Sequence, residues 1–100
     1  MPEHAAYCPL PVVLVVENDI FERLFKAASL RRQGFEVFEA ADVAEAVTVL
    51  KKIAVDLLIS DISLIDGAVL AQLAKEHQPT TQIAWTLDRR QSSVETAVLH

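Results

Sequence analysis

Apolar residues follow two alternating patterns along the chain. Val12-Val13-Leu14-Val15-Val16 is a β-branched run with no polar interruption, the pattern of a strand covered on both faces in a parallel sheet. It ends at Glu17-Asn18-Asp19. Phe21, Leu24, Phe25 and Ala28 then recur at three- and four-residue steps and predict a helix over about residues 20 to 33. That stripe assigns Phe21, Leu24 and Phe25 to the core, and Gly34 is suited to end the helix in left-handed geometry.

The alternation repeats. Phe35 to Ala40 reads as a second strand, and Asp42 with Glu45 three residues on forms a capping box ahead of Val43, Ala46, Val47 and Leu50, giving a second helix to about Lys52. Val55-Asp56-Leu57-Leu58-Ile59-Ser60 is a third strand with Asp61 at its carboxyl end. Gly67 opens a segment in which Val69, Leu70, Leu73 and Ala74 share a helical face up to about His77, before Pro79. Gln82 to Thr86 is a fourth strand. Ser92 with Glu95 offers another capping box, predicting a last helix whose inner face carries Val94, Ala97 and Val98. Strands alternating with helices predict a doubly wound α/β fold with a parallel sheet, because parallel neighbours need crossover connections. Ligands in such sheets bind outside the carboxyl ends of the strands where strand order reverses. Glu17, Asn18, Asp61 and Thr86 stand at those ends.

Composition narrows the chemistry. One hundred residues suit a single domain, read as a loose leader over 1–9 and a folded body over 10–100. A net charge of -5 argues against nucleic acid or an anionic membrane surface as partner. Only Gly34 and Gly67 are glycines, which excludes Gly-rich phosphate loops. The single cysteine, Cys8, forms no internal disulfide, and the start of the chain has no cationic segment leading into an apolar stretch, so a cytoplasmic setting is expected. His4, His77 and His100 make no metal spacing. Glu17 and Asp61 are predicted to converge with Asp19 nearby, an arrangement of like charges that a hard divalent ion such as Mg2+ stabilises. With a hydroxyl from Thr86, Asp61 is suited to accept a phosphoryl group.

At this point the chain resembles a known family, the receiver domain of two-component response regulators. The resemblance rests on Val-Leu-Val-Val-Glu-Asn-Asp over 13–19, Val-Asp-Leu-Leu-Ile-Ser-Asp-Ile-Ser-Leu over 55–64 and Ile-Ala-Trp-Thr over 83–86, in order, and covers about residues 10 to 88. It implies a flavodoxin-like receiver fold. Asp61 would be the phospho-acceptor and Thr86 the switch hydroxyl; Glu17, Asn18, Asp61 and the backbone carbonyl of Ser63 would hold Mg2+. A histidine kinase or phosphotransfer protein would be the phosphoryl donor, and the chain would be a stand-alone signalling module rather than an enzyme.

Several positions depart from the family pattern. Asn18 stands where a second carboxylate is usual, which weakens Mg2+ binding. Ile65 replaces a proline, Val69 a glycine, and Leu87 a very small residue. The fifth strand, with its lysine, and the fifth helix are expected to be missing, so that the domain lacks its last β-α unit. A bare edge on the fourth strand would then expose unpaired backbone and the apolar Ile83 and Trp85, so residues 82–99 are expected to form a homodimer contact or to rearrange. These departures support an alternative reading, a degenerate receiver acting as an interaction or dimerisation module without phosphorylation.

Overall fold

The unbroken apolar run becomes β1 (Val12–Glu17), an interior strand of a five-stranded sheet. Around it stand α1 (Ile20–Arg32), β2 (Glu36–Ala40), α2 (Val43–Leu50), β3 (Leu57–Asp61), α3 (Leu64–His77), β4 (Gln82–Thr86) and β5 (Thr96–Leu99). The structure, a computed structural model, describes residues 10–61, 64–86 and 96–99. The leader with Cys8, Ser63, Leu87 and the Ser92/Glu95 pair lie outside the described residues.

Strand order is β2-β1-β3-β4-β5, with the first four strands parallel. The doubly wound fold read from the sequence is therefore present. Leu14, Val16, Leu58 and Ile83 on one face pack with Ala46 and Leu50 of α2 and Leu70 and Ala74 of α3. Val13, Val15 and Val37 on the other face pack with Ala27 and Leu30 of α1. Among the described residues α1 is the only helix on this second face.

Local chemistry fixes the helix ends. The Asp42 side chain accepts from the Glu45 backbone N–H at 2.9 Å, and the Glu45 carboxylate accepts from the Ala41 N–H at 2.8 Å. This is a reciprocal cap, with the return bond taken one residue before the N-cap. At the far end of α1, the Gly34 N–H donates to the Arg31 carbonyl and the Phe35 N–H to the Leu30 carbonyl, both at 3.1 Å, with Gly34 at φ +100°. That is the Schellman arrangement, which glycine adopts without steric cost.

Three expectations are corrected. Phe21, Leu24 and Phe25 are not core: Phe21 is 79% and Phe25 70% exposed, and Leu24 is also exposed. The face of α1 that meets the sheet is Arg23, Lys26, Ala27 and Leu30, the same helical spacing shifted by two residues and so nearly opposite. α3 starts at Leu64 rather than at Gly67, because an interior glycine costs a helix only ~1 kcal/mol and does not stop it. Thr96–Leu99 is not helical. It forms β5, antiparallel to β4 with Thr86 opposite Thr96, so the edge of β4 that motivated a dimer contact is paired within the chain. A strand satisfies the open backbone groups of that edge, as a helix would not.

The opposite end of the sheet is tied by side chains. Gln78, just past α3, accepts from the Val55 N–H at 2.8 Å and donates to the Leu50 and Ile53 carbonyls. The buried Thr81 hydroxyl donates to the Val55 carbonyl at 2.7 Å. No described helix is long and apolar enough to cross a membrane.

Candidate functional site

The strand order reverses between β1 and β3, and the register there pairs Glu17 with Asp61. Both residues end their strands. Counting alternately from Val13 and Val15, and from Leu57 and Ile59, puts both side chains on the α1 face. The sequence-predicted pair is thus brought together at the place where this sheet type binds ligands.

Glu17 is only 1% exposed, yet both of its oxygens are engaged. Oε2 accepts from the Asp19 N–H at 2.9 Å, and Oε1 accepts from Lys26 Nζ at 3.0 Å. The same ammonium donates to Asp61 Oδ2 at 2.9 Å. One cation therefore bridges the two carboxylates. Burial opposes the charge on Lys26, but the hydrogen bonds to Asp61 and Glu17 and the charges of those carboxylates outweigh it and hold its pKa above the usual lysine value. Arg23, one turn earlier on the inner face of α1, donates to the Glu17 carbonyl at 2.8 Å and pairs with Glu39.

The remaining candidates take other places. Asn18 is exposed at the loop between β1 and α1. Asp19 accepts from the Glu22 N–H at 3.0 Å and so serves as the N-cap of α1. Ser60 pairs with Trp85 across β3 and β4, so the register places Thr86 one strand over at the level of Asp61. Trp85 packs against the core on the α2/α3 face, beside Gly67.

Lys26 is the site residue that sequence reasoning missed. Its spacing from Glu22 reads as an exposed i, i+4 ion pair, and that contact exists at 3.6 Å, but the stronger contacts reach inward. A hard cation fits this donor set. Two carboxylates already hold one positive nitrogen between them, and oxygen donors of that kind suit Mg2+. Among the described residues no group of three His, Cys, Asp or Glu side chains is arranged to hold a metal ion, and Glu17 and Asp61 are the strand-end carboxylates of the site.

The family model for the response regulator receiver domain matches residues 13–99. The chain belongs to this family. Among solved structures, the receiver domain of the hybrid histidine kinase CckA is similar at 37% identity and TM-score 0.69, over 74% of this chain and 72% of that one. The chemotaxis protein CheY4 of Vibrio cholerae matches at 27% identity and TM-score 0.71, over 79% and 71%. The response regulator TrrA of Thermotoga maritima, in complex with Mg(2+)-BeF, shares the fold at 23% identity and TM-score 0.69, over 84% and 76%. No curated protein matches the chain significantly. Receiver domains are signalling modules of two-component systems that interact with histidine kinases or phosphotransfer proteins, and they commonly bind Mg2+ at the phosphorylation site.

Proposed function

We propose that this receiver domain accepts a phosphoryl group on Asp61 from the phosphohistidine of a histidine kinase or phosphotransfer protein. The observation that carries the reading is the convergence of Glu17 and Asp61 on one cation at the reversal of strand order. A carboxylate oxygen of Asp61 attacks phosphorus, an O–P bond forms, and the P–N bond breaks. The imidazole leaves with that electron pair, neutral because its other nitrogen carries a proton. Glu17, Asp61 and the Ser63 carbonyl would hold Mg2+, with Asn18 adding no charge; bound there, the ion neutralises charge on the transferring phosphoryl oxygens. Asp61, half-buried at the rim, is the group a donor can approach. Thr86, at the level of Asp61, would give its hydroxyl to the phosphoryl group.

A second reading, an interaction module that is never phosphorylated, is favoured by Lys26, which already neutralises part of the carboxylate pair, and by the neutral Asn18. Incubation with acetyl phosphate and Mg2+, followed by intact mass measurement, separates the two. A phosphate-sized mass gain that disappears in Asp61→Asn supports the acceptor. No gain in the parent, with beryllofluoride and Mg2+ also leaving Trp85 fluorescence unchanged, supports the second reading.

A further inference from the structure

We propose that Lys26 is a built-in counter-cation of the carboxylate pair, which a divalent ion must displace, so that this lysine of α1 sets the metal affinity of the site. The inference rests on Glu17 and Asp61 being the ion-binding pair of the proposed acceptor site. Three observations support it. First, the ammonium lies 3.0 Å from Glu17 Oε1 and 2.9 Å from Asp61 Oδ2, which is where a cation shared by both carboxylates must bind. A divalent ion and an ammonium sharing those oxygens would repel each other at close range.

Second, the ammonium is able to leave. The Lys26 side chain is 23% exposed, and its flexible four-carbon stem borders a depression of about 220 Å3 shared with Phe25, Ser29, Leu30 and Ile59. Third, Glu22 lies 3.6 Å from the same nitrogen, one turn back on α1 and near the surface, so a displaced ammonium keeps an anionic partner. Metal and ammonium then compete, and the apparent metal affinity is lowered by the fraction of molecules in which Lys26 occupies the pair.

Calorimetric titration of the full chain with Mg2+ or Mn2+ tests this, comparing the parent with Lys26→Met and Lys26→Gln. Both variants, confirmed as folded by circular dichroism, are expected to bind the ion at least tenfold more tightly. Equal or weaker binding in a folded variant overturns the proposal. Should neither variant fold, the parent decides. Lys26 is expected to be protected from an acylating reagent without metal and to become several-fold more reactive at saturating Mg2+. Unchanged reactivity while the ion binds overturns the proposal. Labelling by acetyl phosphate is scored separately: a parent that labels at Asp61 while Lys26→Met leaves metal affinity unchanged overturns the counter-cation and keeps the acceptor. Tighter metal binding in Lys26→Met without labelling in either protein does the reverse.

Discussion

The orientation of α1 makes a sharp energetic prediction. Replacing Phe21 or Phe25 by Gln keeps helix propensity high and removes a large aromatic side chain. Had the outward stripe been core, each truncation would cost about 3–5 kcal/mol. Phe21 is 79% and Phe25 70% exposed, so only a fifth to a third of the roughly 200 Å2 such a side chain is able to bury leaves water. At ~25 cal/mol per Å2 this is about 1 kcal/mol for Phe21 and about 1.5 kcal/mol for Phe25, both upper values because the unfolded chain already buries part of that area. Ala27→Gln is the converse. Ala27 is fully buried between α1 and the sheet, so a longer polar side chain there forces overpacking and strands an amide, costing ~3 kcal/mol. Urea unfolding of the three variants measures this, with the slope of the transition unchanged. A loss of about 3 kcal/mol in either Phe variant, or a neutral Ala27→Gln, would refute the orientation of the helix.

Other consequences are equally accessible. Gln78→Leu leaves the Val55 N–H and the Leu50 and Ile53 carbonyls without their partner, and is expected to lower stability by ~3 kcal/mol and the melting temperature by more than about 10 °C in a scanning calorimeter. A stability difference between parent and Lys26→Met of about 1–2 kcal/mol is expected near neutral pH, discounted for the partial exposure of the lysine. Because the folded state raises the Lys26 pKa, that difference is fully present below the unfolded value and disappears as the pH rises through the higher folded value. Urea midpoints of both proteins from neutral to strongly alkaline pH follow it; a difference that grows with alkalinity contradicts the ion pairs.

The parallel strands were legible because strands buried on both faces must be apolar at every position, and Val12 to Val16 leaves no other reading. The Asp42/Glu45 cap was legible because its bonds lie within four residues of chain. Glu17 and Asp61 were placed correctly because carboxyl ends of adjacent parallel strands converge whatever the loops do. The rotation of α1 was not legible. Two stripes of the same period run along that helix, and the more apolar one faces water, while Arg23 and Lys26 turn inward to bond Glu17 and Asp61 as Ala27 and Leu30 pack on the sheet. Long cationic stems cover apolar surface, so hydrophobicity alone misjudges such a face. A search for a cation within reach of both predicted carboxylates would have found Lys26. The final segment misled for a similar reason: a local capping pattern competed with the open edge of β4, and long-range strand pairing prevailed.

The way β5 joins the sheet also bears on how the molecule assembles in time. Every parallel pairing links stretches of chain separated by at least a crossover, whereas Thr86 meets Thr96 across a short span. Distant pairings carry the larger closure entropy and govern the folding rate. The four parallel strands therefore set the kinetic barrier, and the short-range pairing of β5 with β4 adds little to it.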